Sequence, residues 1–294
     1  MKFTKMHGIG NDYVYVNCFT QEVPDKAGFA RMVSHRHIGV GSDGAIFICP
    51  SQIADCEMQM YNADGSRSEM CGNGIRCVAK YVYDNEIVDK TDITISSMGA
   101  VKRITIKAED AHPNPITGIV HSKRSDGKAA AMLTVDMGEP ILTPDRIPVI
   151  LSDDDSLCIN KEIYVDNCTY NMTCVSMGNP HAVIFVDHTS SLPLEVLGPQ
   201  FENHTCFPNR TNTEFVKVED RNNIRMRVWE RGAGETHGCG TGACAATVAA
   251  VLNGHTDDTV NVHLLGGDLI VHWDRNANRV YMTGPAETVY EGEI

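Results

Sequence analysis

Short runs of alternating or continuous apolar residues recur along the chain, and only a few stretches carry the longer spacing of a helix. Residues 2–7 and 12–18 have the strand pattern on either side of a Gly8–Gly10 turn, and 45–49 and 56–61 repeat it. Between them, residues 27–37 carry helical spacing. A second helix is predicted over 74–83, behind the glycine-rich run CGNG, with strands following at 91–96 and 101–107. Residues 109–130 mix polar side chains, two prolines and a charged patch, which predicts a hairpin plus the connection between two halves. Strands are then predicted at 132–136, 161–166, 171–177 and 181–186, a short helix within 192–204, and strands at 213–218 and 224–230. Residues 229–251, WERGAGETHGCGTGACAATVAAV, combine a strand end, a glycine-rich loop, one cysteine and an alanine-rich helix. Strands at 259–263, 267–273 and 279–283 follow, and one more lies beyond the Gly284-Pro285 turn.

The pattern is duplicated. The cysteine loops read CGNG (71–74) and CGTG (239–242), and the step from Cys71 to Cys239 sets an offset. The same offset aligns Gly10-Asn11 with Gly178-Asn179, Phe47 with Phe215, Met58 with Met226 and Tyr61 with Trp229. Several matches at one ungapped offset predict two halves of similar construction, each strand-rich with one helix behind a cysteine loop.

A glycine-rich loop that opens a helix presents free N–H groups and a positive dipole end. It binds anions and favours a thiolate, bringing a thiol from about 8.5 towards roughly 3.5–7.5. If the halves pack face to face, Cys71 and Cys239 flank one atom. That arrangement suits removal of a proton from one face of a carbon and delivery to the other. The loop N–H groups would hold a carboxylate and the charge that builds up on it. The repeat also breaks: Asn62-Ala63 correspond to Glu230-Arg231. The extra charged pair predicts a substrate with charged groups at its far end. Asn11, Asn62, Asn73, Asn179 and Asn212 could bind amine and carboxylate groups without adding net charge. The plainer reading is that the asparagines cap their own turns and that Glu230-Arg231 is a solvated pair.

Composition narrows the field. At 294 residues, 42% hydrophobic and 21% charged, the chain is of globular type. A formal net charge of −13 argues against nucleic acid and anionic membranes as partners. None of the eleven cysteines forms a C-x-x-C pair, which argues against zinc-ribbon and thioredoxin-like sites. The opening MKFTKMHGIGNDY has no apolar leader and no run reaches membrane-span length, so the expected location is cytoplasmic. No lysine has a recognisable pyridoxal-phosphate setting, so the expected chemistry uses no cofactor.

The ordered segments KMHGIGNDY, RHIGVGSDG, NADGS, MCGNGIRC, VDMGEP, VSMGNPH, LGP, WERGAGETHGCGTGACA and YMTGPAETVYEG cover nearly the whole chain. In them the sequence closely resembles the diaminopimelate epimerases. The resemblance implies conversion of LL-2,6-diaminoheptanedioate to the meso form, in lysine and peptidoglycan precursor synthesis, without cofactor or metal. It implies an α/β fold of two pseudo-symmetric halves, each a curved, mainly antiparallel sheet wrapped round a central helix, with the active site in the cleft between them. The expected halves are 1–128 with 285–294, carrying Cys71, and 129–284, carrying Cys239. Carried over by the resemblance, Cys71 and Cys239 are the acid/base pair. Asn11, Asn62, Gly72, Asn73, Asn179, Asn212, Glu230, Arg231, Gly240 and Thr241 are substrate contacts, His181 and Glu230 modulate the thiols, and Tyr290 belongs to a homodimer interface.

Two departures stand out: Gly44 where some members place glutamine, and His237-Gly238 where an apolar residue and alanine are more usual. A two-thiol racemase of another amino acid, such as histidine or proline, is the alternative, but it would have no use for Glu230-Arg231. A cysteine hydrolase would need one activated cysteine and a base, and a binding protein neither thiol.

Overall fold

In a computed structural model the apolar alternation becomes strands that enclose two helices. The structure describes residues 1–68, 71–115, 117–151 and 156–294. Met70 of the first cysteine loop and Ile116 of the 109–130 segment lie outside the described residues. The chain divides into two compact units, Met1–Asp136 with Thr283–Ile294, and Met137–Met282.

The first unit contains β1 (Lys2–Gly8), β2 (Asn11–Asn17), α1 (Lys26–Ser34), β3 (Gly44–Cys49), β4 (Cys56–Asn62), β5 (Arg67–Ser68) and α2 (Gly72–Asp84). It continues with β6 (Asp92–Ser97), β7 (Ala100–Asp110) and most of β8 (Lys128–Gly138). The second unit contains β9 (Lys161–Val165), β10 (Cys168–Ser176), β11 (Pro180–Phe185), α3 (Leu194–Glu202), β12 (Asn212–Asp220) and β13 (Asn223–Glu230). Then come β14 (Gly234–Thr236), α4 (Gly240–Leu252), β15 (Thr259–Leu264), β16 (Gly267–Asp274) and most of β17 (Arg279–Gly284). The terminal β18 (Glu287–Glu293) pairs with β1 and so belongs to the first unit.

Pairing is mainly antiparallel in both units. The parallel exceptions are β2–β3 and β4–β6 in the first and β11–β12 and β13–β15 in the second. These pairs occupy equivalent places. Tyr13 lies opposite Gly44 and His181 opposite Asn212, which is the same register moved along by the repeat offset. The helices repeat at that spacing too: α1 and α3 share it, as do α2 and α4.

Alternation along the strands sorts side chains to two faces. Val14, Val16, Ala45 and Phe47 pack against Phe29, Ala30 and Val33 of α1. Ala182, Ile184 and Phe215 pack against Leu194, Leu197 and Phe201 of α3. The opposite sheet faces receive the central helices. Every residue of α2 is buried, and α4 is buried from Gly240 to Ala250 except at Thr241. A helix surrounded in this way must be apolar all round or have its polar groups bonded to its surroundings. The α4 helix takes the first route with alanine, valine and Cys244, apart from the buried Thr247. The α2 helix takes the second. The fully buried Arg76 bonds the carbonyls of Gly72 (3.1 Å) and Pro285 (3.1 Å) and Oδ1 of Asn73 (3.0 Å). Lys80 bonds Asp84 (2.8 Å) and the Ala130 carbonyl (2.8 Å).

Some expectations shift. The first helix ends at Ser34 rather than His37, because His35 turns extended and its carbonyl accepts Gly39 N–H (2.8 Å). Residues 109–130 form the β7–β8 hairpin connection and lie wholly within the first unit, and the chain leaves that unit after Asp136. The short strands β5 and β14 have too few residues for any periodicity. Among the described residues no helix is long and apolar enough to cross a membrane.

Candidate active site

Each central helix begins at a cysteine. Cys71 is the N-cap of α2, and its Sγ accepts the Gly74 N–H at 3.3 Å. Cys239 is the N-cap of α4, and its Sγ accepts the Gly242 N–H at 3.4 Å. Serine or aspartate usually makes this bond, and here sulfur does. The glycines are required by close approach. A Cβ at Gly74 would lie 2.7 Å from Ile46 Cδ1, and one at Gly242 would lie 2.6 Å from Glu214 Oε1. Gly72, Asn73, Gly240 and Thr241 form the first turns, where backbone N–H groups have no partner within the helix.

In the first unit the Cys71 thiol, half-buried, donates to Asn11 Oδ1 at 3.2 Å. The Asn11 amide in turn donates to Asp43 at 2.8 Å. Asp43 also accepts the Asp12 N–H (3.1 Å) and one arm of Arg36 (2.8 Å). Arg36 bridges to Asp12, which is paired with the buried Lys5. Those two cations hold the Asp12 carboxyl below the usual range despite its burial. Asn62, at the end of β4, donates to Ser66 Oγ at 3.0 Å within its own turn. Asn73 is buried with its Oδ1 on Arg76.

The second unit differs. Cys239 is buried and its Sγ lies 3.4 Å from Thr241 Oγ1. Burial, then the nearby Glu230 and Glu214, push this thiol well above its ordinary value, against the smaller favourable effects of Thr241 and the Gly242 N–H. Burial also raises the Glu230 carboxyl, which Thr236, His181 and Cys239 partly offset. Thr236 donates to Glu230 at 2.5 Å. His181 is fully buried, with Nδ1 2.7 Å from Glu214 and Nε2 3.0 Å from Asn179 Oδ1. The direct partners of His181 are therefore Glu214 and Asn179, and Glu230 acts on it through space. Asn212 is buried, donating to the Pro180 carbonyl (2.7 Å) and accepting the Arg231 N–H (2.9 Å), so it clips the ends of β11, β12 and β13 together. Arg231 is exposed and its guanidinium reaches the Asn209 carbonyl (3.0 Å).

The first unit therefore gathers Asn11, Cys71 and the loop backbone, while Asn62 and Asn73 turn to other partners. The second gathers Asn179, His181, Glu230, Cys239 and Thr241. Tyr290 stands apart on β18, exposed, with its ring edge-on to Phe3 at 6.0 Å. His237 is exposed. Gly44 is forced by packing, since a Cβ there would lie 2.1 Å from the Tyr61 carbonyl oxygen.

Two residues absent from the sequence reading now matter: Asp43, which holds Asn11, and Glu214, which holds His181. For Glu214 a signal was available: it is a lone acid in the buried run of β12, at the repeat position that Ile46 fills in the first half. Among the described residues no group of three or more His, Cys, Asp or Glu is placed to hold a metal ion.

Comparison with known proteins bears on this geometry. The family model described as diaminopimelate epimerase matches residues 3–123 and 173–289. A protein named diaminopimelate epimerase from Agathobacter rectalis is 52% identical, covering 100% of this chain and 99% of its own. Another of that name from Acetivibrio thermocellus is 50% identical over 100% of this chain and 98% of its own. The solved structure of a probable proline racemase from Agrobacterium radiobacter aligns with a TM-score of 0.66 over 100% of this chain and 92% of that one. Its sequence identity is 13%, so the likeness is one of fold.

Proposed function

This chain belongs to the diaminopimelate epimerase family, and on that premise we propose that Cys71 and Cys239 are the two acid/base groups of a cofactor-free epimerisation at one α-carbon. The substrate is LL-2,6-diaminoheptanedioate and the product its meso form, a step of lysine and peptidoglycan precursor biosynthesis.

The observation that carries the division of labour is the matched pair of caps. Each thiol sits at the N-terminus of a central helix and accepts one N–H, at 3.3 Å from Gly74 and 3.4 Å from Gly242. An N–H and a positive helix end stabilise sulfur when it is negative. Both cysteines therefore sit where a thiolate can form in turn, as reversible two-base transfer requires. In one direction Cys71 takes the α-proton as thiolate and Cys239 delivers its own to the opposite face. The burial and carboxylate neighbours that keep Cys239 protonated support its entry as the acid. In the reverse direction the roles exchange. Backbone N–H groups at Gly72, Asn73, Gly240 and Thr241 hold the α-carboxylate, as helix N-termini hold anions. Charge growing on that carboxylate as the Cα–H bond breaks meets donors already in place.

The remaining assignments follow the same reading. Asn11, Asn62, Asn179 and Asn212, with Glu230 and Arg231, serve the substrate's amine and distal carboxylate. His181 and Glu230 set the protonation of Cys239. A plain amino acid offers nothing to a Glu-Arg pair, which favours diaminopimelate over a simple racemase substrate. The enzyme works as a cytoplasmic homodimer, with Tyr290 at the subunit contact. Sedimentation of the wild type beside Tyr290→Asp checks that assignment, and a monomeric wild type would end it.

The decisive experiment is turnover of LL-diaminopimelate in deuterated water by the wild type, Cys71→Ala and Cys239→Ala. In the first-formed meso product deuterium is expected only at the inverted α-carbon, and each variant is expected to lose epimerisation. Near-normal turnover by either variant would refute the two-base assignment.

A further inference from the structure

The two units place different chemistry at the same structural position. At the repeat offset, His181 and Glu214 of the second unit correspond to Tyr13 and Ile46 of the first. The strand register around them is the same in both units. Ile46 and Glu214 each reach the N-terminal turn of their central helix. Ile46 Cδ1 fills the space beside Gly74, and Glu214 Oε1 fills the space beside Gly242.

The fold therefore closes well with an isoleucine in this place, since Ile46 is fully buried. A glutamate there is a cost. Its side chain and that of His181 are both at 0% exposure. Glu214 Oε1 lies 2.7 Å from His181 Nδ1, and among the described residues Oε2 has no hydrogen-bond partner. A buried carboxyl group with one unsatisfied oxygen is no better for stability than an apolar side chain of similar volume. Packing does not account for Glu214, and among the described residues its side chain bonds the imidazole alone.

That imidazole leads outward. His181 Nε2 lies 3.0 Å from Asn179 Oδ1, and Asn179 corresponds to Asn11, the acceptor for the Cys71 thiol. Each unit thus presents an asparagine at one repeat position with a carboxylate behind it. In the first unit Asp43 holds Asn11 directly at 2.8 Å. In the second, Glu214 holds Asn179 through His181.

From this we infer that Glu214 is a positioning residue for the epimerisation: it accepts the His181 Nδ1–H and so orients the imidazole, aiming Nε2 at Asn179 and the acid/base chemistry beside Cys239. A carboxylate on one ring nitrogen fixes the tautomer and orientation that the other nitrogen uses. The inference rests on the reading of Cys239 as an acid/base group. No bond is made or broken at Glu214 itself.

The test uses Glu214→Ile and Glu214→Gln in the full-length enzyme. Glu214→Ile installs the residue the first unit already accommodates, and it is expected to fold with a melting temperature at or above that of the wild type. Its kcat is expected to fall about ten- to a hundredfold, as for loss of one hydrogen bond to a charged group. Glu214→Gln keeps an acceptor oxygen and is expected to retain more of kcat than Glu214→Ile. A wild-type kcat in both variants would overturn the inference. Nitrogen-15 NMR of the wild-type histidines gives a second reading that needs no variant to fold. His181 Nδ1 is expected to carry a proton at neutral pH, and an unprotonated Nδ1 would overturn the inference equally. If the wild type does not turn over diaminopimelate at all, the proposed function fails, while the NMR still reports on the Glu214–His181 bond.

Discussion

Alanine at Gly74 and at Gly242 are equivalent substitutions in the repeat, and the structure predicts unequal results. Both positions lie in the first turn of a central helix at negative φ, so alanine suits the backbone and adds about 0.5–1 kcal/mol of helix preference. At Gly74 the new methyl lies 2.7 Å from Ile46 Cδ1, the free end of an apolar side chain. Turning that end aside costs about 0.5–1.5 kcal/mol, so Gly74→Ala should change stability by no more than about 1 kcal/mol. At Gly242 the methyl lies 2.6 Å from Glu214 Oε1, the atom that bonds His181 at 2.7 Å. The carboxylate can make room only by leaving its partner. Breaking a buried pair costs about 3–5 kcal/mol, which leaves a net loss of roughly 2–4 kcal/mol after the helix gain. The methyl also presses on Cys239 Cβ and Sγ, both at 3.3 Å, so Gly242→Ala should lose most of its kcat as well. Urea unfolding of the two variants against the wild type measures the difference, with equal m-values required for a fair comparison. Equal stability of the two alanines, or a worse result for Gly74→Ala, would refute the claim that a pinned carboxylate distinguishes the two helix starts.

Other outcomes can be measured independently. Asp43→Ala frees the Asn11 amide and should lower kcat about tenfold, as for one charge-assisted hydrogen bond; an unchanged kcat would mean Asn11 needs no holder. Glu230→Gln removes one of the charges that raise Cys239, so the thiol should come down and react faster with a small alkylating reagent at mildly alkaline pH; a slower reaction, read by peptide mass, would reverse the assigned sign. The Cys18–Cys49 pair should shape the pH dependence of stability. Cys49 is brought down to about 7, first by Cys18 and then by Lys26 beyond the cost of burial, while Cys18 is raised by Cys49 and by burial. With both unfolded thiols near 9.0, the folded chain releases one proton earlier and holds the other longer. Stability should therefore rise between about pH 7 and 9, where the unfolded state binds more protons, and fall above about pH 9, where the folded state does. Denaturation midpoints of Cys18→Ala, compared with the wild type across that range, should lose this local maximum.

The repeat made much of the fold legible. The glycine, cysteine and aromatic matches at one offset anticipated strands and helices that recur at that offset, and α2 and α4 share their start at a capping cysteine. The predicted strands at 45–49 and 213–218 are present, with Phe47 and Phe215 buried in the two cores. Legibility ended where a residue's meaning depends on its partner. Asn73 and Asn11 look alike in sequence, yet one turns to Arg76 and the other receives a thiol. Arg76 falls within the predicted helix, but nothing in its type announces that it is fully buried. Gly44 looks like a lost side chain in the sequence, whereas the Tyr61 carbonyl leaves no room for one.

The more informative positions are those where the halves disagree. Agreement at Cys71 and Cys239, and at Gly74 and Gly242, reflects what both halves must do: hold a sulfur at a helix start with an N–H aimed at it. Disagreement has to be explained by what only one half does. Tyr13 and Ile46 against His181 and Glu214, and Asn62 against Glu230, place the extra ionisable groups in the second unit. A racemase acting on a plain amino acid, with no distal group to recognise, would have no reason for that bias. An epimerase that must invert one end of a molecule and leave the other alone does have one. An imidazole and carboxylates surround Cys239, whereas Cys71 meets Asn11, itself held by Asp43. The asymmetry cannot be a relic of drift in packing residues, because buried charge is the most expensive substitution an apolar position can receive. It persists here around Cys239, where Glu230 and Glu214 both raise the thiol and Glu214 stands one imidazole removed from Asn179.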